Sequence, residues 1–361
     1  SLNGLLSMLR LSNSITSLTG IDEEVINEKN IKTLNTLGQL VKEELYNNEK
    51  HILSKEINYK KTVESNSTRC YNIINDENIF IDTLQEAKRT VRYSVSEATG
   101  NVERIELSSS DDVLDSVNYL YDIYGNLKEE VHGLENYRIV YTYNKAGNLV
   151  KKEKYAINSE TLLECVDFGY SSEWPDKITT FTKGGVTNLI EYDSVMKGMP
   201  VNISDLETGV VNTRFGWKNR NLIRFEADPQ YYTLFEYDYS GLRTKKTIVN
   251  NYAGGTIDHY YRYSGSVIIE EYVEDDVKGD TYLINYFYDQ NGLLYGFKYN
   301  NANYYYVRDS LGTIIGIVNS SNQLVCEYKY DAYGNHIVLD GNRNENRNAS
   351  FIGNINPYRY K

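Results

Sequence analysis

The sequence predicts an all-β protein: a row of β-hairpin repeats forming one long, spiralling β-sheet strip. Three observations predict it. A nine-residue phrase, Tyr119-Leu120-Tyr121-Asp122-Ile123-Tyr124-Gly125-Asn126-Leu127, recurs down the chain. From Gly100 onward its turn marks return about every 22 residues, at Gly125, Gly147, Gly198, Asn219, Gly241, Gly265, Gly292, Gly312 and Gly334, with one double interval before Gly198. Tyrosine supplies 35 of 361 residues and proline only 4, a composition that continuous hydrogen-bonded strands accept. A period of 22 holds two strands of about seven residues and two turns, and is too short for a strand–helix–strand crossover. Each hairpin must then bury its face against its neighbours.

The phrase has a mechanism. Tyrosines two residues apart lie on one face of a strand. Asp122 opens a turn and Gly125 closes it, the residue types a type I turn with a left-handed fourth position prefers. The same pattern pairs Asn144 with Gly147, Asp238 with Gly241, Asp289 with Gly292 and Asp331 with Gly334. Two looser copies, Asn35 with Gly38 and Asp309 with Gly312, keep the turn and lose the tyrosine immediately before it.

Along the chain, residues 1–30 are poorly defined. Leu2, Leu5, Leu6, Leu9 and Leu11 have the spacing of a short helix. Residues 31–118 read as degenerate repeats: a turn at Asn35–Gly38, alternation without clean turns from 45 to 95, then Thr99-Gly100-Asn101. Residues 119–361 carry the regular repeats. They are followed by a polar loop from Asp340 to Asn348 and a closing segment, Asn356-Pro357-Tyr358-Arg359-Tyr360-Lys361. A hydrophobic fraction of 40% suggests thin layers rather than one thick core.

These hairpins resemble the YD repeats of Rhs proteins, of wall-associated proteins, of Tc-toxin shell subunits and of teneurins. From Tyr170 onward the resemblance is closest to the Rhs repeat-associated core. Trp174-Pro175-Asp176-Lys177, Tyr237-Asp238-Tyr239-Ser240-Gly241-Leu242-Arg243, Tyr304-Tyr305-Tyr306-Val307-Arg308-Asp309, Tyr328-Lys329-Tyr330-Asp331-Ala332-Tyr333-Gly334-Asn335 and Asn356-Pro357-Tyr358-Arg359-Tyr360 carry it. The resemblance implies a β-strip coiled into a hollow cocoon around a toxin cargo, and a secreted or cell-surface location. The cleavage motif and toxin domain that follow the core in such proteins are not in this sequence. The implied role is therefore a non-catalytic shell segment whose partners are a toxin cargo or the rest of a larger shell. The alternative is a surface module that binds carbohydrate through its tyrosine-rich strands.

Chemistry outside the repeats is sparse. The turn aspartates explain themselves as acceptors for their own backbone. His51, His132, His259 and His336 lack metal-ligand spacing, and Cys70, Cys165 and Cys326 form no CxxC pair. No metal or cofactor is expected, nor an enzyme. Acidic clusters at Asp111-Asp112, Glu274-Asp275-Asp276 and Asp340 read as solvated loops. A net charge of −12 argues against sequence-independent nucleic-acid binding. No apolar run is long enough to predict membrane insertion as a helix, and the chain shows no signal peptide at Ser1. A short strip leaves open sheet edges, which invite self-association.

Overall fold

The computed structural model describes residues 9–18, 26–63, 70–81, 87–110, 112–289 and 291–360; side chains are described from residue 29 onward, except those of 61–63 and 70–72. Strands come first in chain order as β1 Leu9–Leu18, β2 Ile26–Leu34, β3 Leu40–Asn47, β4 Lys50–Val63, β5 Cys70–Ile81, β6 Arg89–Val95, β7 Val102–Ser109 and β8 Asp112–Tyr121. Next come β9 Leu127–His132, β10 Tyr137–Tyr143, β11 Leu149–Ala156, β12 Leu162–Tyr170, β13 Ile178–Lys183, β14 Val186–Tyr192 and β15 Pro200–Asp205. They continue as β16 Val211–Lys218, β17 Asn221–Asp228, β18 Tyr231–Tyr237, β19 Arg243–Asn250, β20 Gly255–Ser264, β21 Val267–Asp275 and β22 Asp280–Tyr288. The last are β23 Leu294–Tyr299, β24 Ala302–Arg308, β25 Ile314–Asn319, β26 Leu324–Tyr330 and β27 His336–Asp340, before one helical turn, α1 Ile352–Ile355. The protein is almost wholly antiparallel β.

Two compact units divide the chain. One joins Ser1–Tyr119 to Phe287–Lys361, and the other is Leu120–Tyr286. Within the first, β1 to β8 pair antiparallel in sequence order, and so do β23 to β27. The two ladders pack face to face. Leu45, Ile52, Ile79, Ile81 and Val91 from one meet Phe287, Tyr295, Tyr305, Val307 and Val318 from the other in one buried cluster. This is a true two-layer core, thicker than composition suggested. A long antiparallel ladder has two faces, and here one is covered by strands some 250 residues away in sequence.

In the second unit β9 to β22 pair antiparallel in order. Most of its side chains are only half-buried. Antiparallel order puts alternate turns on the same edge, so the turns after Asp122, Asn144, Ser171, Asp193, Asn219, Asp238 and Ser264 share one rim. The period of 22 in the sequence therefore counts one rim only.

Two expectations are corrected. Leu9 and Leu11 lie on strand β1, not on a helix; Leu2, Leu5 and Leu6 fall outside the described residues. The acidic cluster around residue 275 is not a solvated loop, because Glu274 and Asp275 end strand β21. Asp275 is buried and accepts the backbone N–H of Lys278. Asp112 likewise begins a strand, β8, while Asp111 lies outside the described residues.

Candidate functional site

The repeated turn is the first feature of the site. Oδ1 of Asp122 accepts the N–H groups of Tyr124 and Asn126 at 2.8 and 2.9 Å. Asn35, Asn144, Asp238, Asp289, Asp309 and Asp331 make the same two bonds, to the residues two and four positions on. Each also accepts, on its backbone carbonyl, the N–H of the closing glycine, as Asp122 does from Gly125 at 3.1 Å. Gly125 has φ +84°, a conformation open to glycine and strained for other residues. Asn319 and Asp340 build identical turns that the repeat spacing did not mark. They are missed because they lie on the opposite rim and are closed by Asn322 and Arg343, which have φ 62° and 66°.

The second feature appears only in three dimensions. After the turns at Asn35, Asn144, Asp238 and Asp309 the register shifts one residue into the return strand, as where Thr142 pairs with Lys151 but Tyr143 pairs with Leu149. The ladder on the far side of that strand also ends early. Between β11 and β12 it stops at Lys151↔Asp167, leaving the Leu149 carbonyl without a ladder partner. The Tyr170 hydroxyl donates to it at 2.7 Å. Tyr143 bonds Leu127 O, Tyr192 bonds Ile178 O, Tyr237 bonds Leu222 O, Tyr263 bonds Arg243 O and Tyr330 bonds Ile314 O in the same way. Tyr59 does so to Leu40 O in the region without clean repeats. At these turns the tyrosine before the turn thus stitches its hairpin to the previous one. Two stitches use other donors: Trp217 Nε1 to Pro200 O at 2.7 Å, and the Arg308 guanidinium to Leu294 O. The missing tyrosine before Asp309 is therefore replaced, not lost.

Charge is buried where the two ladders of the first unit meet. Glu77, wholly buried, accepts Tyr93 OH at 2.8 Å and the N–H of Ser310 at 3.0 Å, with Lys55 Nζ 3.7 Å away. Burial raises the Asp309 carboxyl above its ordinary range, and Glu77 adds to the effect. Glu327 lies between Arg89 at 2.5 Å and Arg343 at 2.7 Å. In the second unit His259 Nδ1 is 2.6 Å from Glu271, which also accepts Tyr286 OH at 2.7 Å. No group of three metal-ligating side chains occurs among the described residues. Cys165 and Cys326 are free thiols, and burial pushes the latter up to about 12.

The closing segment packs back onto the C-terminal ladder. Asn356, fully buried, accepts Tyr306 OH at 2.7 Å and donates to Tyr328 OH at 3.0 Å. Pro357 follows it in extended chain, and Asn356 also donates to the Tyr358 carbonyl. Arg359 donates to the carbonyls of Gly353 and Asn354 and meets His336 Nε2 at 2.7 Å. The Tyr360 ring lies 5.4 Å from that of Tyr330. Asn346 N–H pairs with Val338 O, so the chain itself covers part of the outer edge of β27.

The architecture defines a β-hairpin repeat protein whose signature residues are spent on their own backbone. No family model matches the chain. A segment of 117 residues is 27% identical to the tRNA3(Ser)-specific nuclease WapA of Bacillus spizizenii, covering 32% of this chain and 5% of that protein. The crystal structure of TcdB2-TccC3-TEV superposes with a TM-score of 0.53 over 90% of this chain and 18% of its own, at 13% identity. That of TcdB2-TccC3-Cdc42 gives 0.46 over 89% of this chain. The chain spans less than a fifth of each of these three proteins. In fold and in the matched segment it resembles the Rhs/YD-repeat proteins.

Proposed function

We propose that the chain is a non-catalytic shell segment of a Rhs/YD-repeat protein, working outside the cell to enclose or present a toxin cargo. The observation that carries this reading is where the repeated residues are spent. The aspartate and asparagine turns, and the tyrosine stitches at Tyr143, Tyr170, Tyr192, Tyr237, Tyr263 and Tyr330, bond main chain, which extends a wall. Nuclease activity in the name of the curated relative belongs to that protein, of which this chain matches one twentieth. The test is protease protection of a folded reporter fused after residue 361. Protection is expected, and digestion at the rate of the free reporter overturns enclosure.

A second reading, carbohydrate binding, is favoured by one groove in the second unit. About 220 Å³ is lined by Asn212, Arg214, Glu226, Asp228 and Pro229. The exposed ring of Tyr252 is tied to Asp228 at 2.9 Å. That volume suits a single sugar-sized ring. A glycan array without a binder above background removes this reading.

A further inference from the structure

We propose that Lys32 and Asp289 form an intramolecular amide bond, with Glu43 as the proton carrier, fastening β2 covalently to the turn before β23. Nζ of Lys32 is 2.9 Å from Oδ2 of Asp289 and 3.5 Å from Oε1 of Glu43. Lys32 and Glu43 are direct cross-strand partners on β2 and β3, so the sheet register sets two corners of the triangle. The third corner is set by the turn, which clamps Oδ1 of Asp289 between the N–H groups of Asn291 and Leu293 at 2.9 Å each. The Asp289 side chain is 3% exposed. Both groups belong to the same compact unit although 257 residues separate them.

The turn itself makes the product acceptable. In the bonded state Oδ1 becomes an amide oxygen and keeps both N–H bonds. Asn35 and Asn144 already build this turn with an amide oxygen in that place. At Asp122, Asp331 and Asp340 the outer oxygen takes an asparagine amide; at Asp289 it takes an amine.

The step balances without a co-reactant. The Lys32 ammonium gives a proton to Glu43, and the amine lone pair attacks Cγ of Asp289. The charge that grows on Oδ1 is met by the two N–H groups. Glu43 returns its proton to Oδ2, which takes the second amine proton and leaves as water. Ammonium and carboxylate become one amide and one water. Burial works against the Lys32 charge, but Asp289 and Glu43 outweigh it and hold its pKa above the ordinary value. The ammonium must therefore give up its proton to Glu43 before the nitrogen can attack.

The experiment is intact mass of the full chain under denaturing conditions, after the folded protein has stood at mildly alkaline pH, with peptide mapping. Expected are a mass one water below that of the sequence and a linked peptide pair containing Lys32 and Asp289. Lys32→Arg, which preserves the ion pair, is expected at full mass, and Glu43→Gln at full or nearly full mass with the fold retained by circular dichroism. Full sequence mass in the wild type overturns the proposal. So does a lost water without the linked pair, which marks a succinimide at Asp289.

Discussion

Replacing the stitching tyrosines with phenylalanine isolates the hydroxyl that joins one hairpin to the next. Tyr237→Phe keeps the ring and removes one hydrogen bond, from the hydroxyl to Leu222 O at 2.9 Å. That carbonyl lies two residues beyond the last ladder pair, Arg224↔Leu234. Loss of such a bond costs about 1 kcal/mol, rising to about 1–3 kcal/mol if the carbonyl then stays dry. Tyr143, Tyr170, Tyr192, Tyr237 and Tyr263 make the same bond in one unit. Stitches one hairpin apart are separated by two strand spacings, roughly 10 Å, far enough for their effects to add. The fivefold variant should lose about 5 kcal/mol, comparable with the whole stability of a marginal domain. A chain of two units need not unfold in one step, so the assay is hydrogen exchange read by mass spectrometry on peptides covering each return strand. Tyr239→Phe is the control, because that ring is fully exposed at a turn tip. The reasoning is refuted if Tyr237→Phe protects Leu222–Arg224 as well as Tyr239→Phe does, and the fivefold variant exchanges like the wild type.

Four further outcomes follow from particular residues. Gly125→Ala forces an L side chain to φ +84° with open space around it, so strain alone should cost about 1–2 kcal/mol; an unchanged melting curve contradicts this. The Ser240 hydroxyl, followed by backbone N–H groups, holds the Asp238 carboxyl below its usual range. Its contribution is thus present above the unfolded carboxyl pKa and lost as pH falls through the lower folded value. Asp238→Asn should flatten the acid end of the stability profile, and identical acid profiles sink the point. Glu327→Gln leaves the buried Arg89 and the half-buried Arg343 beside a neutral amide and should cost about 3–5 kcal/mol, read as faster exchange in both β6 and β26. Gly353→Ala places a methyl group on Cys326 Sγ and Val338 Cγ1. Such overpacking costs about 1–3 kcal/mol, seen as earlier release of residues 351–360 to protease.

The sequence by itself determined the hairpin array and the turn chemistry, because the donors to each turn oxygen lie within four residues of it. Asp122 finds Tyr124 and Asn126 however the rest of the chain is arranged. A period of two strands and two turns then leaves little choice but antiparallel β. The tertiary structure alone decided what the tyrosines do. The carbonyl taken by Tyr237 is 15 residues back, where the β16–β17 register shifts beside Leu222 and the β17–β18 ladder has already ended, a gap that composition does not announce. That gap explains why Trp217 and Arg308 can replace tyrosine: the position requires an N–H or O–H donor of sufficient reach, not a phenol. The meeting of the two ladders was equally hidden. Glu77, Arg89, Glu327, Lys32 and Asp289 look like ordinary surface charges in sequence. They become buried or half-buried partners because chain segments more than 230 residues apart share one core.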